Sequence, residues 1–171
     1  MSKEIEFLKE SNKIEKEYSQ EALADAIEAW EYAKVMIPLG RKIDIQYIKT
    51  IHMFLMKRID SRIAGQLRKV PVYVGGRECL NYEKINTSLF DWCKKINIRF
   101  MNSPKDIAMD GIEKIHVAFE EIHPFEDGNG RVGRILMNIQ RLRSYMDILI
   151  IKEKEKFKYY KWFKDSKNEL K

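Results

Sequence analysis

The residues best suited to chemistry are gathered in one stretch, His123-Pro124-Phe125-Glu126-Asp127-Gly128-Asn129-Gly130-Arg131-Val132-Gly133-Arg134. His123 supplies a base that titrates near neutrality, and Asp127 a hard oxygen ligand of the kind Mg²⁺ takes. The Gly-Asn-Gly run allows successive main-chain N–H groups to curl around an anion. If a helix begins near Gly130, its unpaired N–H groups and positive dipole end favour phosphate. Arg131 and Arg134, three apart, then share one face of the first turn and reach further oxygens. Together these parts point to handling of a nucleoside polyphosphate. A calcium loop is excluded, because Arg131 falls at its fifth position and Asn138 at its twelfth, where a ligand and a bidentate Glu belong.

Two helices must position this loop. Ile112, Ile115, Val117, Ala118, Phe119 and Ile122 lead into it, and Val132, Ile135, Leu136, Ile139 and Leu142 lead out, each set on helical spacing with a face to bury. His116 stands two turns before His123 with Glu120 between them, but no fourth ligand completes a zinc site. Upstream, residues 3–18 form a charged segment with Ile5, Phe7, Leu8 and Ile14 as its apolar positions. Ser19 caps a helix carrying Ala22, Leu23, Ala26, Ile27, Trp30, Ala33 and Ile37, which Pro38 and Gly40 end. Asp44 caps the next, with Tyr47, Ile48, Ile51, Phe54, Leu55 and Ile59; His52 within it reads as surface or core filler. Residues 82–100 (Tyr82, Ile85, Leu89, Phe90, Trp92, Ile96, Phe100) are another helix, and Asn102-Ser103-Pro104 breaks the chain before Ile107. After a short apolar run from Ile148 to Ile151, a last helix carries Phe157, Tyr160, Trp162 and Phe163, aromatics spaced as for a core.

The texture differs between Ala64 and Gly76. Valines alternate, glycines bracket the segment, and Pro71 permits only an edge strand. A small β-hairpin and a surface loop fit these residues equally well.

Length and composition suit one mainly helical domain: 171 residues, 44% hydrophobic and 34% charged. The net charge of +6 is spread among acidic neighbours, as where Lys152 to Lys158 alternate with Glu153 and Glu155, so no nucleic-acid surface is indicated. Cys79 and Cys93 match no metal spacing and suit a reducing cytoplasm. No apolar run approaches a membrane span, and the N-terminus lacks a signal core, so a cytoplasmic protein without a membrane partner is expected.

The stretch from His123 to Arg134 resembles the signature of the Fic/Doc family, His-x-Phe-x-(Asp/Glu)-Gly-Asn-Gly-Arg-x-x-Arg, with every fixed position filled. The resemblance implies the Fic fold, a helical bundle with a small β-hairpin flap, and an enzyme that moves AMP from ATP onto a Tyr, Ser or Thr hydroxyl of a target protein. It implies His123 as general base, Asp127 as the Mg²⁺ ligand, and Asn129 with the Gly128–Gly130 main chain as the anion hole. Arg131 would hold the β-phosphate, Arg134 the γ-phosphate, and Phe125 would anchor the loop. Related Doc-type kinases carry Lys where this chain has Gly130, so Gly130 argues for AMP transfer over phosphate transfer. The resemblance also makes the Val-rich segment a target-binding flap (Val70, Val72, Tyr73, Val74), with an exposed strand edge suited to clamping a target's backbone. Removal of AMP, transfer of another phosphate-linked group, and a silenced toxin-like protein acting by binding remain alternatives.

Many Fic proteins are silenced by a helix bearing (Ser/Thr)-x-x-x-Glu-(Gly/Asn), whose Glu pairs with the second motif arginine. Ser11 and Glu15 match, four apart on one helix face, while Lys16 replaces the usual Gly or Asn. The resemblance therefore divides the chain into an N-terminal inhibitory helix at 1–18 and a Fic domain at 19–171. Self-modification and a separate antitoxin-like partner are left open.

Overall fold

Apolar residues at helical spacing build seven α-helices in a computed structural model that describes residues 2–35, 41–102 and 109–168. They are α1 (Lys3–Ile14), α2 (Gln20–Val35), α3 (Ile45–Met56), α4 (Ile85–Asn102), α5 (Met109–Ile122), α6 (Asn129–Arg143) and α7 (Lys156–Asn168). A two-stranded hairpin, β1 (Tyr73–Val74) and β2 (Arg77–Glu78), lies between α3 and α4. The expected helix stop at Pro38 and Gly40 and the start at Ile107 lie outside the described residues.

The bundle is built around α6, in which every residue from Arg131 to Gln140 is buried. It packs on α5, α3, α1 and α2, as a helix covered on all sides must. Arg131 Nε and Gln140 Oε1 are buried without a hydrogen-bond partner, while several of its polar side chains bond within the protein. Asn138, for example, exchanges two hydrogen bonds with Leu149 (2.8 and 3.1 Å), which holds the chain from Ile148 to Ile151 against the core. Ser19 and Asp44 cap α2 and α3 through Ala22 N and Tyr47 N, and Phe7 of α1 meets Trp30 of α2 edge-on at 5.4 Å.

The charged segment at 3–18 is helical only to Ile14. There Lys16 takes φ +60°, its N–H donates to Lys13 O (2.9 Å), and Glu17 N donates to Asn12 O (3.0 Å). That pair of bonds is the Schellman ending, whose left-handed residue is ordinarily glycine or asparagine. Lys16 departs from that preference at a cost in backbone energy, not in shape, and its side chain is exposed. Lys16→Gly is expected to raise stability by about 1 kcal/mol, read as a higher denaturant midpoint at unchanged slope.

Three expectations are corrected. The hairpin ladder begins only at Tyr73, so Val70 and Val72 precede the strands. Gly75 (φ +58°) and Gly76 (φ +76°) form its turn instead of bracketing it, since a two-residue turn with both residues left-handed matches strand twist. Residues 82–84 make a separate 3₁₀ turn capped by Asn81, and α4 starts at Ile85 with Phe90 exposed. In α7 Phe157 is exposed and Tyr160 only partly covered; the residue buried there is Tyr159, drawn in by His116.

Candidate active site

Helix α5 ends at Ile122, and His123 turns the chain with φ +49°, a left-handed conformation that a non-glycine residue adopts only where its surroundings hold it. Phe125 is fully buried and stacks flat on His52, ring centroids 3.7 Å apart. Asn129 closes the loop: its Oδ1 accepts from Phe125 N and its Nδ2 donates to Phe125 O, both at 2.9 Å. Its side chain, expected in the anion hole, thus shapes the loop through Oδ1 and one Nδ2 proton, and these bonds leave the second Nδ2 proton unused. The main chain also offers donors to an anion. Gly128 (φ +77°) caps α6 and the first helical bond runs from Val132 N to Gly128 O, so the preceding N–H groups have no intrahelical acceptor.

His52 does more than fill the core. Its Nδ1 accepts from Gly65 N (2.9 Å), which leaves Nε2 to carry the proton and donate to Asp127 O (3.0 Å). Burial lowers its pKa to about 4, so the ring stays neutral and in that tautomer. It thereby pins the start of the flap segment and the Asp127 carbonyl to α3.

The His123 imidazole lies with Nδ1 3.3 Å from the Glu120 carbonyl and 4.0 Å from Glu120 Oε2. A carbonyl only accepts, so that contact places the proton on Nδ1 and leaves Nε2 as a base. Burial first, and the Arg68 charge as a smaller cause, hold its pKa below the usual imidazole value. Behind it lies a buried polar cluster. Glu120 is pushed up to about 8 by burial, and His116, lowered to about 3 by burial, pairs through Nε2 with the Tyr159 hydroxyl (2.9 Å). Gly133 makes room for both, since a Cβ there would lie 2.2 Å from Glu120 Oε1 and 2.9 Å from His116 Cε1.

The two guanidiniums differ. Arg131 is buried, its Nε has no hydrogen-bond partner, and its Nη2 reaches Met56 Sδ (3.2 Å) and Asp127 Oδ2 (3.5 Å). A buried guanidinium with an unpaired donor favours an anion beside it. Arg134 is held by α1 and the residue that caps it: Nε donates to Ser11 Oγ (2.9 Å), and Nη2 donates to Ser11 O (2.9 Å) and to Glu15 Oε1 (2.8 Å). Burial alone would lower its pKa, but Tyr159 and the Glu15 carboxylate raise it. Ser11 and Glu15 thus meet the second motif arginine across more than a hundred residues. Gly130 is what allows it, because a Cβ at 130 would come within 2.3 Å of Glu15 Oε1.

Asp127 accepts from Gly128 N through Oδ1 (2.6 Å), and its side chain is 65% exposed. It opens onto a cleft of about 500 Å³ also lined by Asp60, Arg62, Ile63 and Glu126. One exposed carboxylate beside the first turn of α6 suits Mg²⁺, which takes one or two carboxylates plus substrate oxygens. In the flap Tyr73, Val74 and Val70 are exposed and Val72 is half-buried. From sequence His52 reads as filler, and Arg68 and Tyr159 are given no role. Nothing local marks His52 or Tyr159, whose partners lie far along the chain, whereas Arg68 closes the Gly-x-Leu-Arg run that opens the flap.

Sequence and structure comparisons agree with this geometry. The model of the Fic/DOC family matches residues 42–140. The chain is 31% identical over 122 residues to protein adenylyltransferase fic-1 of Caenorhabditis briggsae, covering 70% of this chain and 23% of that protein. It is 27% identical over 136 residues to protein adenylyltransferase Fic of Drosophila ananassae, covering 80% and 27%. The chain therefore spans about a quarter of the length of the curated relatives it matches. A Fic-domain-containing signaling protein from Bacteroides thetaiotaomicron superposes with a TM-score of 0.78 at 20% identity, over 92% of this chain and 70% of that one. Fic-1 from C. elegans gives 0.72 at 20% identity, over 91% and 53%. With the motif loop, the helical bundle and the hairpin all in place, this chain belongs to the Fic/DOC family.

Proposed function

We propose that the protein is an adenylyltransferase that moves AMP from ATP onto a Tyr, Ser or Thr hydroxyl of a protein, and that residues 1–18 restrain it through Glu15. The observation that carries the reading is the convergence of two buried guanidiniums, Arg131 and Arg134, on the first turn of α6, one short loop from His123. Phosphoryl and nucleotidyl transfer ask mainly for in-line positioning and neutralised charge, with a base for the incoming proton.

In this reading the target hydroxyl oxygen attacks the α-phosphorus, its proton passes to His123 Nε2, and the bond to the β-phosphate breaks to release pyrophosphate. Arg131 and the N–H groups at the start of α6 hold the phosphates, and Arg134 takes the γ-phosphate once Glu15 withdraws. Asp127 would hold Mg²⁺, which supplies charge neutralisation at the phosphates. Val70, Val72, Tyr73 and Val74 receive the target as an added strand, an arrangement that the exposed edge suits. The two cysteines, both free thiols, favour a reducing compartment such as the cytoplasm. No helix among the described residues is long and apolar enough to cross a membrane.

Intact mass measurement of the protein and candidate targets after treatment with ATP and Mg²⁺ tests the reaction: a gain of one AMP supports it, and a gain of one phosphate overturns it. Asp127→Ala should weaken Mg²⁺-dependent ATP binding, while Glu126→Ala should do much less, although both carboxylates line the same cleft. Calorimetry with and without Mg²⁺ reads the difference; equal losses would remove Asp127 from the metal role.

A further inference from the structure

We propose that Arg68 is a positioning residue that couples the flap to the catalytic turn, so that the placement of His123 depends on the geometry of the hairpin. The proposal rests on the transferase reading for its functional meaning, but its structural basis is separate.

Arg68 is 3% exposed, and its guanidinium bonds run to main-chain carbonyls on two different elements. Toward the turn, Nε donates to His123 O (2.7 Å) and Nη2 to Ile122 O (3.4 Å). Toward the flap, Nη1 donates to Val70 O (2.9 Å) and Nη2 to Leu80 O (2.5 Å), the two ends of the segment that carries the hairpin. The Arg68 main chain adds a fifth tie, donating from its N–H to Pro124 O (3.0 Å).

Physical chemistry gives this arrangement a direction. The carbonyl of Ile122 lies at the C-terminal end of α5, where acceptors lack intrahelical partners and the dipole favours a cation. His123, next in line, holds φ +49°. Bonds from Arg68 to the carbonyls of 122, 123 and 124 supply the restraint that such a conformation needs. Because the guanidinium is rigid and planar, moving the carbonyls of Val70 and Leu80 moves those of Ile122 and His123 with them. Lysine would keep the charge but lose the fork, since a single ammonium does not span four acceptors set around a plane.

The test uses Arg68→Lys and Arg68→Ala, each in a Glu15→Gly background so that turnover is not limited by the α1 contact. ATP binding is expected to stay within about twofold of the parent, since the hydrogen bonds of Arg68 run to residues 70, 80 and 122–124 and not to the segment from 127 to 134. Transfer should fall on the order of a hundredfold in Arg68→Ala, the scale of an ångström-sized misplacement of a reacting group, and lysine should restore only a minor part. The His123 ring titration, followed by NMR, should move up in both variants as the ring loosens into water, further in alanine, which also removes the neighbouring charge.

A second variant leaves Arg68 untouched. A side chain at Gly76 would meet nothing within 4 Å, yet φ +76° forbids a β-branched residue, so Gly76→Val should melt the hairpin turn without touching the catalytic loop. Coupling requires that the His123 titration move here as well. Loss of exchange protection in the hairpin with an unchanged His123 titration would overturn the proposal. So would Arg68→Lys that transfers AMP within twofold of its parent, or that loses ATP binding in step with transfer, the mark of a general structural role. The NMR readouts need no turnover. A parent that transfers no AMP therefore overturns the transferase reading, and the titrations still decide the coupling.

Discussion

His123→Ala is expected to lower AMP transfer on the order of a hundred- to ten-thousand-fold, the usual effect of removing a general base, while ATP binding stays within a small factor of wild type. The separation follows from position. His123 sits on the α5 side of the loop, whereas the nucleotide's phosphates are assigned to Arg131, Arg134 and the start of α6. The same side chain is expected to set the pH profile. Burial holds the His123 pKa below its usual 6.5, so the acid limb of kcat/KM should lie below pH 6.5, with activity rising as the ring loses its proton. Near-full activity in the alanine variant, or an acid limb above pH 7, would take His123 out of the role of base.

Glu15→Gly is expected to raise transfer, self-modification included, by roughly ten- to a hundredfold. The Glu15 carboxylate accepts a charge-assisted bond from Arg134 at 2.8 Å, and such bonds are worth about 1.5–3 kcal/mol. In the proposed reading, while it stands the γ-phosphate would have to compete for a guanidinium that also bonds Ser11, and ATP would bind without aligning its α-phosphorus for attack. Adding Arg134→Ala should erase the gain, because the freed guanidinium is what the substitution makes available. An unchanged rate in Glu15→Gly, with the wild type already active, would rule out restraint from within the chain and point to a separate antitoxin-like partner.

The make-up and place of the loop were legible in the chain alone, because they depend on residue type and short spacing. A base, a carboxylate, three glycines and two arginines lie within twelve residues between two helices. The apolar periodicities on either side place α5 and α6 within a few residues. Helix caps at Ser19 and Asp44 were legible for the same reason, since each acts on an N–H three residues on. Even the doubtful Lys16 was readable as a departure from pattern, though its consequence was not: whether a lysine tolerates φ +60° depends on the two bonds that end α1.

What the chain could not disclose are contacts whose partners lie far apart in sequence. His52 is separated from Asp127 by 75 residues, Arg68 from His123 by 55 and His116 from Tyr159 by 43. No periodicity in one segment encodes the acceptors that another presents, so a buried histidine or arginine looks like any other on its own helix or loop. The same limit applied to Asn129, whose amide the motif assigns to an anion but whose bonds in the fold both go to Phe125. Residue types in a short window specify which chemistry is available. Folding decides which of those groups are already engaged, as Arg134 is by Ser11 and Glu15, and which keeps an unpaired buried donor, as Arg131 does at Nε, because only packing removes water and leaves each buried donor to find an acceptor or go without.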